Sequence, residues 1–413
     1  MKRRIVITGM GVLSPLGLNV QDSWDALVAG RSGGCLISRF DTSNYITKIA
    51  AELKGFDGGN YLDRKEIRRY DLSQQYALVA AKEAIEDSGF LNDGFDQDMA
   101  GTIIGSGVCG IDSLSKQHAI LLQKGPQRVS PFLVPMIISD MAAGLVSIKY
   151  GLRGPNYSTV SACASGAHAM GDALRIIQRG DADIIVTGGT EAAIVPLAVA
   201  GFCAAKAMTT RNDQPQSASR PFDKERDGFL MGEGAAIAVF EELGHALKRG
   251  AKIYAEVAGF GMSGDAYHMT APDPDGRGAA YAMRMALKDA GMDPSEVDYI
   301  NAHGTSTGLG DIAETVAVKN VFGDHAYKMV LNSTKSSIGH LLGASGSIEL
   351  LVCALSIRDG KVHPTINYSV PDPECDLDYS PNKVTEREIN VALSNSFGFG
   401  GHNASLILRK YQV

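Results

Sequence analysis

Hydrophobic positions along the chain gather into short continuous runs separated by Ala-rich stretches with helical spacing. "RRIVITGMGV", "GTIIGSG", "ADIIVTGGTEA" and "AAIAVFEEL" carry the β-branched residues of strands buried on both faces. "YALVAAKEAIEDSGF" and "HAMGDALRIIQRG" lie between such runs and predict helices. This alternation predicts an α/β fold with buried, largely parallel strands.

Near residue 250 the pattern restarts. "AKIYAEVAGFGM" echoes "MKRRIVITGMGV", and "YAMRMALKDAGM" echoes "YALVAAKEAIEDSGF". The second pair shares Ala84-x-x-Asp87-x-Gly89 with Ala286-x-x-Asp289-x-Gly291. Later, "SSIGHLLGASGSIEL" stands where "VSACASGAHAM" stood, and "VALSNSFGFGG" where "DIIVTGGTEA" stood. Four echoes in one order predict a duplicated α/β unit, with halves at 1–250 and 251–413. Equivalent loops of the two halves then meet near a pseudo-twofold axis, which brings Cys163 and His340 together from equivalent positions.

Composition narrows the classes without choosing among them. The chain has 413 residues, 45% hydrophobic and 21% charged, enough for a sizeable core. A net charge of −7 offers no basic field for nucleic acid. No apolar run approaches the ~20 residues that cross a bilayer. "MKRRIVITGMGVLSPLG" mimics a signal peptide, but it reads better as a buried strand followed by a glycine turn, which implies a reducing compartment. The 6 cysteines are far apart and form no C-x-x-C pair, so neither a zinc knuckle nor a disulfide framework is expected.

Four loops rich in small residues carry the candidate chemistry: "SACASG", "NAHGTSTGLGD", "STKSSIGHLLGASG" and "NSFGFGGHN". Each follows or ends a strand-like run, where α/β sheets place their functional loops. Cys163 stands at the start of a predicted helix, whose amides and dipole are expected to lower the thiol pKa below that of a free thiol. Taken locally, the stretch fits a nucleophile and a small core residue equally well. His303 follows the strand-like "VDYINA", and His340 precedes an apolar helix. Two histidines and one cysteine lack zinc-ligand spacing and a fourth ligand. A Cys–His hydrolase would leave the second histidine and Lys335 without a role. Glu349 sits in an otherwise apolar helix and needs a partner, for which Lys335 is a candidate. The N–H groups of Phe399 and Cys163 are candidates for an oxyanion hole.

Together these motifs resemble the condensing enzymes of the thiolase fold, and among them the synthase II branch of the β-ketoacyl-acyl-carrier-protein synthases. The resemblance spans essentially the whole chain and rests on "ITGMGVLSPLG", "ACASG", "SRPFDKERDGFLMGEGA", "NAHGTSTGLGD", "STKSSIGHLLGASG" and "NSFGFGG". It implies duplicated mixed-sheet halves in an α-β-α-β-α layering. It also implies a Cys163, His303 and His340 triad, supported by Lys335 and Glu349. Thr305, Thr307 and Thr270 are then expected along the pantetheine arm, with Val108 at the bend of the acyl tunnel in place of a more usual isoleucine. Gly308 and His402 are departures from the family pattern.

The resemblance further implies decarboxylative condensation in fatty acid elongation, with no cofactor and no metal. It implies acyl carrier protein as partner, a homodimer and a cytoplasmic location, with neither nucleic acid nor membrane as a partner. Lys65, Arg68 and Arg69 in "RKEIRRY", extended by Lys124, Arg128 and Lys206, are the expected docking patch for an acidic carrier, against the plainer reading of a solvated helix face. A synthase I type, a discrete polyketide ketosynthase and a non-catalytic chain-length-factor-like partner are the alternatives. The last of these would lack the nucleophile.

Overall fold

A computed structural model describes residues 2–412. Ten strands form one mixed sheet. In the first half these are β1 (Ile5–Leu13), β2 (Ala100–Gly105), β3 (Asn156–Tyr157), β4 (Ile184–Glu191) and β5 (Gly234–Glu242). In the second half they are β6 (Ala255–Gly264), β7 (Tyr299–Asn301), β8 (Val330–Asn332), β9 (Val391–Gly398) and β10 (His402–Arg409). The sheet order is β3-β2-β4-β5-β1-β6-β10-β9-β7-β8. Read outward from the centre, each half therefore follows the same order.

Pairing senses repeat as well. β2 runs parallel to β3 and β4, as β7 does to β8 and β9, and all other neighbours are antiparallel. The sheet is thus mixed, where the alternation of runs predicted largely parallel strands. The reason is that β5 and β10 return beside β1 and β6 in the opposite direction. The halves join through a short antiparallel ladder, Ile5 to Val257 through Ile7 to Ala255.

Five helices give the layering. α1 (Leu72–Ser88) covers β1 and β5, and α3 (Arg277–Ala290) covers β6 and β10. Between the halves lie α2 (Ser165–Arg179) and α5 (Ser345–Asp359), which touch each other and strands of both halves. α5 is buried from Ser345 to Ile357, as its nearly all-round apolar sequence requires. α4 (Gly308–Phe322) packs beside α3.

The motif shared by the outer helices has a physical basis at each position. A Cβ on Gly9 would lie 2.1 Å from the Ala84 carbonyl oxygen, and one on Gly259 would lie 2.4 Å from that of Ala286. The strand therefore approaches the helix backbone more closely than any side chain permits. Asp87 accepts the Met10 N–H at 3.1 Å, and Asp289 accepts the Phe260 N–H at 3.0 Å. Gly89 and Gly291 then end the helices in the left-handed conformation, at φ 70° and 67°.

Candidate active site

Before each central helix the chain makes one tight 3₁₀ turn, Ala162–Ala164 or Leu342–Ala344. Ala162 and Leu342 hold positive φ values of 52° and 46°, a strained conformation for side chains of this kind. Ser165 and Ser345 open the helices, so counting back from them places Gly343 opposite Cys163, and Val160 opposite His340. The two functional residues come from equivalent loops but not from equivalent positions, contrary to the sequence expectation. The register is fixed by "ASG", shared by residues 164–166 and 344–346.

Cys163 Sγ lies 3.0 Å from His340 Nε2. His340 Nδ1 receives the Leu342 N–H at 3.2 Å and lies 2.8 Å from Ser345 Oγ. Because Nδ1 accepts, the ring proton resides on Nε2, and His340 presents a donor to the sulfur. The His303 ring stands edge-to-face against His340, with centroids 5.4 Å apart at 84°. Glu314, buried in α4, accepts the N–H groups of His303 and Gly304 at 2.9 and 2.8 Å, and Asn395 Nδ2 at 3.1 Å. That carboxylate fixes the loop on which His303 sits.

Lys335 and Glu349 form a fully buried ion pair. Both histidines are held well below the usual imidazole value, first by burial and then by the Lys335 charge, with His340 adding to the effect on His303. They are neutral at physiological pH. Glu349 is pushed up to about 7 because burial outweighs the attraction of Lys335.

The expected low thiol pKa is not found. Burial pushes Cys163 up to about 11, although Lys335 and the N–H groups of Phe399 and Cys163 itself pull it down. Glu191 adds to the rise. The physical reason is that the helix proper begins two residues later, at Ser165, so its dipole does not overcome desolvation. The resting group is a thiol.

Cys163 lies on the wall of a cavity of about 530 Å³ that also presents Val108, Lys206, Thr270, His303, Thr305, Thr307, His340 and Phe399. Thr305 and Thr307 lie side by side, with their hydroxyl oxygens 3.0 Å apart. Lys335 and Glu349 stand behind this wall rather than in it. Lys65, Arg68 and Arg69 are exposed on the short helix Arg64–Arg69, outside the cavity lining. His402 is exposed on the β9–β10 hairpin and is also outside the lining. Gly308 lines the cavity as the first residue of α4.

The sequence reading missed Glu191, Glu314 and Arg226. Arg226 is buried and donates to the Thr307 and Gly308 carbonyls at 3.0 and 2.9 Å, which anchors the loop with the two threonines. The signal that singled out Glu349, a charge inside an apolar run, was present for Glu191 in "DIIVTGGTEA" and for Glu314 in "GDIAETVAV". Among the described residues, no group of three or more His, Cys, Asp and Glu side chains is arranged to hold a metal ion. Nor is any helix among them long and apolar enough to cross a membrane.

Sequence models of two families match this chain: "Beta-ketoacyl synthase, N-terminal domain" over residues 2–246, and "Beta-ketoacyl synthase, C-terminal domain" over residues 254–369. The 3-oxoacyl-[acyl-carrier-protein] synthase 2 of Synechocystis sp. is 52% identical over 411 residues, covering 100% of this chain and 99% of that protein. The enzyme of the same name from Coxiella burnetii is 53% identical over 409 residues, 99% of each chain. Among solved structures, a beta-ketoacyl synthase from Burkholderia phymatum superposes with a TM-score of 0.93 at 37% identity, covering 100% of both chains. A type II polyketide ketosynthase, solved with its acyl-carrier protein and the hexaketide, gives 0.92 at 35% identity and 100% coverage of both. With both family models matched in order and full-length identity above half, this chain belongs to the beta-ketoacyl synthase family.

Proposed function

We propose that the protein is a 3-oxoacyl-acyl-carrier-protein synthase that elongates fatty acyl chains, with Cys163 as the acyl-accepting nucleophile. One observation carries this reading: the Cys163 sulfur is 3.0 Å from the His340 Nε2 donor, faces two backbone N–H groups, and borders a cavity that His303 also lines. In this reading residues 1–250 carry the nucleophile and 251–413 both histidines.

In the first step Cys163 sulfur attacks the thioester carbonyl of an acyl-carrier protein. The proton that leaves Cys163 is matched by the one taken up by the departing carrier thiol. The N–H groups of Cys163 and Phe399 receive the developing oxyanion. In the second step a malonyl thioester binds with its carbonyl oxygen between His303 and His340, whose neutral rings donate without first releasing a proton. Its carboxylate leaves as carbon dioxide, and the bonding electrons become an enolate. The enolate carbon attacks the acyl-enzyme, the tetrahedral intermediate expels Cys163 sulfur, and the 3-oxoacyl product departs two carbons longer. A pKa of about 11 ensures that the released sulfur regains its proton.

Lys335 supports the step by keeping the histidines neutral, and Glu349 balances the buried charge. Thr270, Thr305 and Thr307 contact the pantetheine arm, and Val108 bounds the acyl chain. Lys65, Arg68, Arg69 and Lys206 dock the acidic carrier. The protein acts as a homodimer in the cytoplasm.

Intact-mass analysis with an acyl-carrier protein tests the central role. The wild type gains one acyl group and, after malonyl-carrier protein is added, yields a product two carbons longer. Cys163→Ala gains no acyl mass. Acylation of that variant would overturn the assignment.

A further inference from the structure

Glu191 is the last residue of β4, fully buried, and does none of the chemistry above. Its carboxylate accepts Ser106 Oγ at 3.0 Å, the Gly107 N–H at 2.8 Å and the Val108 N–H at 3.3 Å. It also accepts the Gly343 N–H at 3.0 Å, three residues beyond His340. Backbone and hydroxyl donors hold the carboxylate, not a cation. The two loops meet at this point with no room between them, since a Cβ on Gly343 would lie 2.3 Å from Gly107 N. Val108 in turn packs against the apolar cluster that contains Cys163 and Leu342, and it lines the cavity.

We propose that Glu191 is a positioning residue that ties the Val108 segment of the first half to the His340 loop of the second, so that one carboxylate sets both the acyl length admitted beside Cys163 and the seat of His340. The inference rests on the proposed function, in which an acyl chain on Cys163 extends past Val108. Any displacement of the Val108 backbone lengthens its N–H bond to Glu191. That bond shares an acceptor with Gly343, so displacement of the gate is transmitted to the loop bearing His340. A carboxylate suits this role because its two oxygens accept from four donors at once. An amide has one accepting oxygen and would turn its NH₂ toward N–H groups, leaving two of them without partners.

The test is Glu191→Gln, read as kcat/KM for acylation of Cys163 by a short-chain and a long-chain acyl thioester. The expected result is a change of about fivefold or more in the long-to-short ratio, corresponding to about 1 kcal/mol. Decarboxylation of a malonyl thioester is expected to slow as well. A residue with only a structural role would lower both acyl donors by the same factor, and that result would overturn the proposal. A double-mutant cycle with Val108→Ala adds a second criterion. With the gate side chain removed, Glu191→Gln should leave the ratio unchanged, and a full additive shift would contradict action through Val108. Ser106→Ala removes one donor and keeps the carboxylate, so it carries the same cycle with a smaller shift should the Gln variant fail to fold. An unchanged ratio in Ser106→Ala would then overturn the proposal. Wild type that takes no acyl group would instead sink the proposed function, a result visible before any variant is made.

Discussion

Replacing Lys335 with Met removes a buried charge while keeping most of the side-chain length. Glu349, 0% exposed, would lose its cation, and its second oxygen already has no partner. Breaking a buried pair from one side typically costs about 3–5 kcal/mol, because the remaining charge is uncompensated. Protonation limits that cost and gives it a pH dependence. Burial pushes Glu349 of the folded wild type up to about 7, from an ordinary value of 4.5. Without Lys335 the folded pKa rises further, since the largest influence lowering it is gone. A carboxyl with a raised folded pKa costs stability as pH climbs from the unfolded value to the folded one. Wild type finishes that loss near pH 7, whereas Lys335→Met continues to lose about 1.4 kcal/mol per unit. Between pH 7 and 8.5 the deficit of the variant should therefore grow by about 2 kcal/mol. Urea unfolding at the two pH values measures it. Adding Glu349→Gln removes the titrating group, and should recover most of the stability and flatten the pH dependence. Lys335→Met also lifts the Lys335 field from His303 and His340, so the acidic limb of the condensation rate should move to higher pH. A deficit below about 1 kcal/mol, or one that does not grow with pH, would refute the assignment of a buried, mutually dependent pair.

Ser345→Ala removes one of the two contacts that keep His340 Nδ1 an acceptor. A lost hydrogen bond of about 1 kcal/mol predicts roughly fivefold slower malonyl decarboxylation, and an unchanged rate would show that Leu342 N–H alone fixes the ring. Charge reversal of Lys65, Arg68 and Arg69 should weaken acyl-carrier-protein binding at least about tenfold at low ionic strength, and less as salt is added. Affinity that is unchanged, measured by calorimetry, would remove this helix from the docking surface.

The chemistry-bearing loops were legible because small residues cluster where strands end, and because the chain repeats. The Ala-x-x-Asp-x-Gly echo is more than composition: small Ala, bonding Asp and capping Gly answer the same packing problem in both halves. The pairing of Cys163 with His340 followed from the repeat, but the exact register is carried by the shared "ASG" rather than by the chemical residues. Strand direction was not legible either. A strand buried on both faces has the same pattern whichever way it runs, so only the pairing registers show that β5 and β10 are reversed. The thiol pKa was not legible for a related reason. A sequence shows that a helix follows Cys163, but not how completely the group is desolvated.

That desolvation gives the site its economy. Glu191, Glu314 and Glu349 are each buried and each pushed up to about 7, and each serves a different loop or charge of the cavity. Between the unfolded value of 4.5 and 7, the folded chain retains protons that the unfolded chain releases, so these groups subtract stability as pH rises through that window. His303 and His340 act in the opposite direction, for they stay neutral where an unfolded imidazole takes a proton, and they subtract stability as pH falls below 6.5. All five groups are therefore held in environments that disfavour their charged forms. That is a poor arrangement for stability but a suitable one for the proposed mechanism, in which neutral donors stabilise an enolate. The same exclusion of water that keeps the histidines neutral keeps the Cys163 sulfur a thiol at rest. In the proposed mechanism reactivity then depends on the arriving thioester, whose oxyanion the two backbone N–H groups would receive.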